Sequence, residues 1–331
     1  MSQTPTTIEW HGDHVELIDQ TLLPERLEYL AVRDVPTMID AIQRLAVRGA
    51  PAIGVAGGFG VVLAARAYGA GTAEFTQAVA DLRHARPTAV NLAKMVDRVA
   101  AVPAERMLAE AEAIRAEELA ASGAMGERGA DLVLELVGDR PVRAMTICNT
   151  GGLATVARGT ALAVIQTLHE RGRLAEAIAL ETRPLLQGAR LTAWELGRMG
   201  APHRLVVDSA APFLLSRGVA DVVLIGADRV AANGDTANKV GSFSLSLGAR
   251  HAGVPFVVVA PESTVDMSTA SGADIEIEDR GATEVCGFRD TRFAPPGTDA
   301  INPAFDVTPV GLITALVTET RTVRFDRGDR L

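Results

Sequence analysis

The stretch that decides the fold class is Val142-Arg143-Ala144-Met145-Thr146-Ile147-Cys148-Asn149-Thr150-Gly151-Gly152. A mainly apolar run over 142–147 leads directly into a polar, glycine-rich turn, which is typical of a buried strand and its carboxyl end. The pattern recurs at 177–180, 205–207, 222–225 and 256–259, and helix candidates lie between these runs at 153–170, 188–199, 210–217 and 239–252. Strands that alternate with helices predict an α/β protein with a Rossmann-like, doubly wound parallel sheet.

The chain before residue 140 has a different texture. Helical periodicity covers 37–47, 52–68, 72–100 and 103–137, and two short strands, 7–10 and 15–18, flank a Gly12-Asp13 turn. We therefore predict a small, mainly helical N-terminal domain with a short antiparallel sheet over 1–125, followed by the Rossmann-like domain over 126–331. The loop-rich tail from Gly281 is expected to wrap that second domain before a last helix at 310–320.

Composition limits the function. The 331 residues carry a formal charge of −9, with 48% apolar and 4% aromatic residues. This balance excludes a disordered chain and disfavours a general nucleic-acid binder. Two cysteines do not make a disulfide framework, and the first residues lack a signal-peptide pattern. The apolar stretch Ala50–Tyr68 is broken by glycines and carries Arg66, which predicts a buried helix and no membrane span. We therefore expect a cytoplasmic protein.

Polar residues follow nearly every predicted strand. Because ligands bind beyond the carboxyl ends of the strands in such sheets, these residues are the first candidates for a site. Cys148 lies before a glycine-rich turn that is expected to open a helix, and a helix N-terminus favours a thiolate. The alternative is a buried, inert cysteine. Asp228 ends an apolar strand, where dry surroundings would let it act as both acid and base. Its alternative is a carboxylate that pairs with Arg229 or caps a turn.

Three further features could bind a ligand. Arg48-Gly49-Ala50-Pro51 lies between two predicted helices, where an arginine beside free backbone N–H groups makes an anion site; otherwise it is an interhelical turn. Asn238-Lys239 is expected to open a helix, where the lysine could meet a phosphate or remain solvated. Gln187 could donate to a sugar hydroxyl or be a loop amide.

Cofactor motifs are missing from the sequence. The six histidines show no metal-ligand spacing, and no cysteine pair suits zinc. Gly58-Phe59-Gly60 lacks the third glycine and the preceding strand of a dinucleotide fingerprint, and there is no Walker A loop. We therefore expect neither a metal nor an organic cofactor.

Several long motifs resemble the methylthioribose-1-phosphate isomerase family. They are Arg48-Gly49-Ala50-Pro51-Ala52-Ile53-Gly54, Arg86-Pro87-Thr88-Ala89-Val90-Asn91-Leu92, Cys148-Asn149-Thr150-Gly151, the run from Glu181 to Gly188, the run from Gly226 to Lys239, and Asn302-Pro303-Ala304-Phe305-Asp306-Val307-Thr308-Pro309. The resemblance covers nearly the whole chain. It implies a homodimer of two-domain subunits that isomerises 5-methylthioribose 1-phosphate to 5-methylthioribulose 1-phosphate in methionine salvage. It implies no metal requirement.

The resemblance also assigns roles to residues. It implies that Cys148 and Asp228 carry the chemistry, through acid-assisted ring opening and hydrogen transfer from C2 to C1. The residues that it places against the substrate are Arg48, Gly49, Ala50, Arg86, Gln187, Asn238 and Lys239. The sequence departs from the family pattern at Ile147, where a histidine is common, and over 208–213.

Related branches keep other possibilities open. Regulatory subunits of a eukaryotic translation initiation exchange factor share this fold without the chemistry, and ribose-1,5-bisphosphate isomerase is another relative. Retention of both Cys148 and Asp228 favours an enzyme over a regulator. Proton or hydride transfer, and a methylthio, hydroxyl or methyl group at C5, remain alternatives.

Overall fold

The computed structural model describes residues 5–86, 90–138 and 140–331. These residues form two compact units. One unit comprises the chain up to Gly123 together with Thr150–Gly159, and the other comprises Ala124–Asn149 and Thr160–Leu331. The short segment Thr150–Gly159 therefore belongs with the N-terminal unit, although it directly follows the predicted strand end at Cys148.

The N-terminal unit combines a small sheet with helices. Its strands β1 (Ile8–His11), β2 (His14–Ile18) and β3 (Tyr29–Val32) form an antiparallel sheet in that order. Its helices are α1 (Val35–Gln43), α2 (Ala50–Tyr68), α3 (Ala73–Arg83), α4 (Val90–Ala100) and the beginning of α5 (Ala104–Val137). The two predicted strands are present, and β3 is an addition that its alternating pattern was too short to predict.

Helix α2 forms the centre of this unit. It is buried without interruption from Pro51 to Ala64. In the described part of the chain it is the one helix long and apolar enough to cross a membrane, and 78% of its 18-residue apolar window is buried inside the fold. The prediction of a buried helix is therefore confirmed.

The C-terminal unit contains the remaining elements. Its strands are β4 (Val142–Thr146), β5 (Leu174–Leu180), β6 (His203–Val206), β7 (Val222–Ile225), β8 (Arg229–Ala231), β9 (Thr236–Lys239), β10 (Phe256–Val259), β11 (Val265–Asp266), β12 (Gly287–Phe288), β13 (Thr291–Arg292), β14 (Phe305–Thr308), β15 (Ala315–Val317) and β16 (Thr322–Val323). Its helices are α6 (Ala161–Glu170), α7 (Ala193–Met199), α8 (Ala211–Ser216), α9 (Ser242–Ala252) and α10 (Ala282–Cys286), besides the end of α5.

The main sheet has the order β16-β15-β10-β7-β4-β5-β6. All neighbours pair in parallel except β15 and the edge strand β16. The chain starts in the middle at β4, moves outward through β5 and β6, and then returns to β7 on the other side. This is the strand order of a doubly wound sheet, and its direction reverses between β4 and β7. A mixed α/β fold with a parallel-rich sheet is thereby confirmed.

A smaller sheet follows β7 along the chain. Its order is β11-β8-β9-β14, in which β8 and β9 form an antiparallel hairpin. Strand β14 pairs with β9 so that Phe305 lies opposite Lys239 and Asp306 lies opposite Asn238. The polar loop before Thr236 is thus a hairpin turn.

Three helix predictions are wrong in part. Residues 310–320 form a short 3-10 turn, Val310–Leu312, and then β15. The apolar residues of β15 pair with β10 and are buried, so pairing in the sheet outweighs the helical pattern of the sequence. In 153–170 the α-helix begins only at Ala161, after a 3-10 turn over Gly152–Ala154. Helix α9 begins at Ser242, so Asn238 and Lys239 lie on strand β9 and do not open a helix.

Candidate active site

Cys148 and Asp228 follow the two strands at which the main sheet reverses. Strands β4 and β7 are parallel neighbours, with Ala144 opposite Val222 and Met145 opposite Val223. Because the carboxyl ends of parallel strands meet at the same edge, both residues lie at one edge of the sheet. Both are partly buried. The edge beside a reversal of strand order is where open α/β sheets bind their ligands.

Lys239 links the two residues electrostatically. It is 7% exposed, its Nζ donates to Ala304 O at 2.8 Å, and Nζ lies 5.0 Å from the ring centroid of Phe305. Burial lowers the pKa of Lys239, whereas the negative charges of Cys148 and Asp228 raise it. Both groups therefore lie within electrostatic reach of the Lys239 amine.

The helix N-terminus expected beside Cys148 is not at the glycine-rich turn. The turn after Cys148 leads into a 3-10 turn, and the next α-helix begins at Ala161. The prediction that an α-helix opens directly after Cys148 is therefore wrong.

Two further charged residues act on Lys239. The Arg280 charge lowers the pKa of Lys239 and the Glu284 charge raises it, after the larger effect of burial. Arg280 Nη2 donates to Glu284 Oε1 at 2.6 Å, and its Nη1 donates to Glu278 Oε1 at 3.1 Å. The sequence did not predict these residues, because they lie in the loop-rich tail with no motif around them.

Asp306 is a second functional candidate that sequence reasoning missed. Its carboxylate accepts from the backbone N–H groups of Gly241 at 2.7 Å and Phe243 at 3.0 Å, at the beginning of α9. Burial raises the pKa of Asp306 to about 6, against the opposing effects of these two donors and of Lys239. Its place in the Asn302–Pro309 motif was the available signal.

The remaining predicted residues of this unit are buried. Gln187 is 5% exposed, and its Oε1 has no hydrogen-bond partner among the described residues. A buried acceptor of this kind is available to a ligand hydroxyl. Asn238 is buried too, and its Nδ2 donates to Ser242 Oγ at 2.8 Å.

Asp228 and Arg229 lie where the hairpin of the smaller sheet begins. The Asp228 N–H donates to Ala237 O at 2.9 Å, and Arg229 Nη1 lies 3.7 Å from Asp266 Oδ2. The catalytic role of Asp228 stays a prediction.

The N-terminal unit has its own candidate site at the beginning of α2. Arg48 is buried, and its Nε donates to Gln20 Oε1 at 3.3 Å, while Gln20 Nε2 donates to Leu153 O at 2.7 Å. Gly49 caps the helix with a φ of 94°, and a Cβ there would lie 2.4 Å from Ala154 O. Only glycine fits this position, because the Ala154 backbone occupies the space that a side chain would need.

Arg86 is partly buried and follows α3. The next residues of its motif, Pro87–Ala89, lie outside the described part of the chain. Over residues 5–86, 90–138 and 140–331, no group of three or more His, Cys, Asp or Glu side chains is placed to hold a metal ion.

Comparisons with known proteins show the family of this chain. The sequence model of the Initiation factor 2 subunit family matches residues 46–322. A probable bifunctional methylthioribose-1-phosphate isomerase/methylthioribulose-1-phosphate dehydratase of Nocardia farcinica is 51% identical over 95% of this chain, which spans only 58% of that relative. A methylthioribose-1-phosphate isomerase of Heliobacterium modesticaldum is 47% identical, over 95% of this chain and 94% of the relative.

Solved structures give the same result. The crystal structure of 5-methylthioribose 1-phosphate isomerase from Pyrococcus horikoshii OT3 matches with a TM-score of 0.87 and 39% identity, over 98% of this chain and 93% of that one. A translation initiation factor eIF-2B subunit delta from A. fulgidus matches with a TM-score of 0.81 and 38% identity, over 96% of each chain. The chain belongs to the Initiation factor 2 subunit family, and its similarity to methylthioribose-1-phosphate isomerases extends over nearly its whole length.

Proposed function

We propose that this protein, an aldose–ketose isomerase, converts 5-methylthioribose 1-phosphate to 5-methylthioribulose 1-phosphate in methionine salvage, with Cys148 and Asp228 as its catalytic residues. The observation that carries the proposal is the place of these two residues. They follow adjacent strands at the reversal of the sheet, and both act on the pKa of one buried ammonium, Lys239. A thiol and a carboxyl group beside a buried cation suit proton transfer and charge stabilisation.

The first step is ring opening. The phosphate ester on the anomeric oxygen prevents spontaneous opening to a free aldehyde, so the bond between C1 and the ring oxygen must be broken with the phosphate in place. Asp228 in its protonated form donates its proton to the ring oxygen as that bond breaks. The ring oxygen becomes a hydroxyl group, and C1 becomes electrophilic.

The second step moves hydrogen from C2 to C1. Two routes conserve atoms and charge. In the proton route, the Cys148 thiolate removes the C2 proton and returns it to C1, while the C2 hydroxyl gives its proton to Asp228. In the hydride route, hydrogen passes from C2 to C1 with its electron pair, the C2 hydroxyl gives its proton to the Asp228 carboxylate, and Cys148 stabilises charge. An enclosed site would favour the hydride route, because water would trap the opened cation.

The binding roles follow the chemistry of each side chain. Arg48 and the backbone N–H groups of Gly49 and Ala50 suit the phosphate dianion, with Arg86 and Lys239 as further cations. Gln187 and Asn238 suit the sugar hydroxyls, and the unpartnered Oε1 of Gln187 supports this role.

Phosphorus NMR tests the activity directly. Wild-type protein is incubated with the 1-phosphates of 5-methylthioribose, 5-deoxyribose and ribose, and the conversion of each aldose phosphate to a ketose phosphate is followed. We expect conversion, fastest for the methylthio substrate. Repeating the reaction in deuterated water separates the routes, since substantial solvent deuterium at C1 would eliminate direct hydride transfer.

A second candidate is a non-catalytic regulator that binds a sugar phosphate or nucleotide. The similarity to the A. fulgidus chain named as an initiation factor subunit favours it. Conversion of none of the three substrates, in a preparation that binds them, would select this candidate over the enzyme.

We also propose a cytoplasmic homodimer with a small-molecule substrate and with neither nucleic acid nor membrane as a partner. The support for dimerisation is a set of exposed apolar side chains in the C-terminal unit. They lie on the edge strand β6 and on the packed helices α8 and α9: Leu205, Phe213, Phe243 and Leu247.

A further inference from the structure

Cys148 has an unusual backbone conformation. Its φ is 65°, in the left-handed region that L-residues other than glycine rarely occupy. Such a conformation persists only where the surrounding structure holds it, and it is concentrated at functional sites. The contacts of the Cys148 backbone therefore identify what holds the side chain in place.

Two buried threonines hold the Cys148 backbone from both sides. Its N–H donates to Thr182 Oγ1 at 2.8 Å, and its carbonyl oxygen accepts from Thr192 Oγ1 at 2.7 Å. Thr182 is 0% exposed and Thr192 is 1% exposed, so water does not compete for these hydrogen bonds. Both polar groups of the Cys148 backbone are thus satisfied by side chains and not by a strand ladder.

The Thr182 hydroxyl has a fixed direction. It donates its only hydrogen to Leu180 O at 3.0 Å, which leaves a lone pair for Cys148 N–H. Thr182 itself has a φ of 67°, although β-branched residues are poorly tolerated there. Asp208 stabilises this conformation, because Thr182 N–H donates to its Oδ1 at 2.7 Å and Arg183 N–H donates to its Oδ2 at 2.6 Å.

The Thr192 hydroxyl is oriented in the same manner. It donates to Cys148 and accepts from Asn149 Nδ2 at 3.2 Å, and that amide also donates to Glu195 Oε2 at 2.5 Å. Thr192 ends a π-helical turn, Gly188–Thr192, that begins directly after Gln187. Single π-turns are frequent at functional sites, where they direct a side chain out of the regular helical position.

We propose that Thr182, Thr192 and Asp208 are positioning residues that hold Cys148 in its left-handed conformation and thereby fix its thiol for the reaction. The proposal rests on the proposed function, in which Cys148 acts on the substrate. Without the two hydroxyl groups, Cys148 relaxes toward a negative φ, its Cα–Cβ bond turns, and the sulfur leaves its place at the edge of the sheet. Displacement of a reacting group by about 1 Å costs on the order of 10²-fold in rate.

The variants Thr182→Val and Thr192→Val test this, because valine keeps the branched shape and removes only the hydroxyl. Thr182→Ser restores the hydroxyl. The matched control is Thr308→Val, since Thr308 is 0% exposed and its Oγ1 has no hydrogen-bond partner in the described part of the chain. Three quantities are measured for each: kcat and KM on 5-methylthioribose 1-phosphate, the rate of Cys148 alkylation by iodoacetamide against pH, followed by peptide mass, and the Tm.

We expect Thr182→Val and Thr192→Val to lower kcat by about 10- to 100-fold with KM nearly unchanged. The pH dependence of Cys148 alkylation in these two variants should differ from that of the wild type. In Thr182→Ser and Thr308→Val it should equal that of the wild type. A folded Thr182→Val with wild-type kcat and a wild-type alkylation profile would overturn the proposal. If instead Cys148→Ala keeps full activity, the proposed catalytic role fails, and the alkylation profiles still decide whether the threonines position the thiol.

Discussion

At the residue scale, Lys239 is unusual because it is one of only two lysines in the chain and because it is buried. Of the 32 basic residues other than histidine, only Lys94 and Lys239 are lysines. Arginine keeps its charge in any protein environment, whereas a buried lysine can lose its proton. The chain thus has a buried lysine, whose pKa burial lowers, within electrostatic reach of Cys148 and Asp228.

Removal of the Lys239 amine should slow the reaction of Cys148 with an electrophile. We expect Lys239→Met to slow the alkylation of Cys148 by iodoacetamide at pH 7 by about tenfold, since roughly 1.4 kcal/mol of lost charge stabilisation corresponds to that factor. The exposed Lys94 supplies the control as Lys94→Met. Equal alkylation rates in both variants would remove Lys239 from the environment of the thiol.

Arg48 makes a separate prediction at the same scale. If it binds the substrate phosphate, Arg48→Ala should raise KM by about 10- to 100-fold, the cost of losing a charge-assisted hydrogen bond. The exposed Arg26, whose Nη1 lies 3.0 Å from Glu28 Oε1, is the control as Arg26→Ala. Steady-state kinetics that give Arg48→Ala a wild-type KM would contradict the assignment.

At the scale of elements, strand β14 brings a carboxyl group to the beginning of α9. Asp306 accepts two backbone N–H groups there, yet burial raises its pKa from 3.8 to about 6. The folded protein therefore binds more protons than the unfolded chain between these two values. The contribution of this group to stability is present below pH 4 and is lost as the pH rises through about 6, at a cost of about 3 kcal/mol at most.

Asp306→Asn removes the ionisation. The Tm of this variant relative to the wild type should increase from pH 4 to pH 7, because only the wild type then buries a carboxylate. Thermal unfolding at pH 4, 5, 6 and 7 measures the difference, with the exposed Asp299→Asn as the control. A difference in Tm that does not change with pH would show that burial does not raise the pKa of Asp306.

The strands and helices show which parts of the fold the sequence could predict. Apolar runs bounded by polar turns predicted β4, β5, β7, β10 and the edge strand β6, because a strand buried between helices is continuously apolar in sequence. The pair of strands at 315–323 and the hairpin over 229–239 were not predicted, because short strands with few residues resemble helical or loop sequence until their partners are known. Cys148 and Asp228 could be found from their positions after strands. Thr182, Asp208 and Thr192 could not be assigned to Cys148, because their contacts with it depend on backbone conformations that no motif encodes.

At the scale of the whole molecule, the exposed apolar side chains on α8 and α9 support the proposed dimer. Phe213 is 65% exposed and Leu247 is 47% exposed. Burial of such side chains between two copies is favourable by about 25 cal/mol for each Å² removed from water. The doubly substituted variant Phe213→Glu/Leu247→Glu should therefore dissociate the proposed homodimer.

Light scattering coupled to size exclusion measures the mass. The wild type should have twice the 34.7 kDa of one chain, and the double variant should have the mass of one. Ile301→Glu, at an exposed loop position, should remain dimeric. A wild type of 34.7 kDa, or a double variant that stays dimeric, would refute the proposed interface.

The most direct test of the catalytic assignment is phosphorus NMR of 5-methylthioribose 1-phosphate with the wild type, Cys148→Ala and Asp228→Asn. Both variants should keep the wild-type Tm within a few degrees and lose at least about 10²-fold in the rate of ketose phosphate formation, the usual contribution of a general acid or base. Ketose phosphate formation at the wild-type rate by either folded variant would contradict the account.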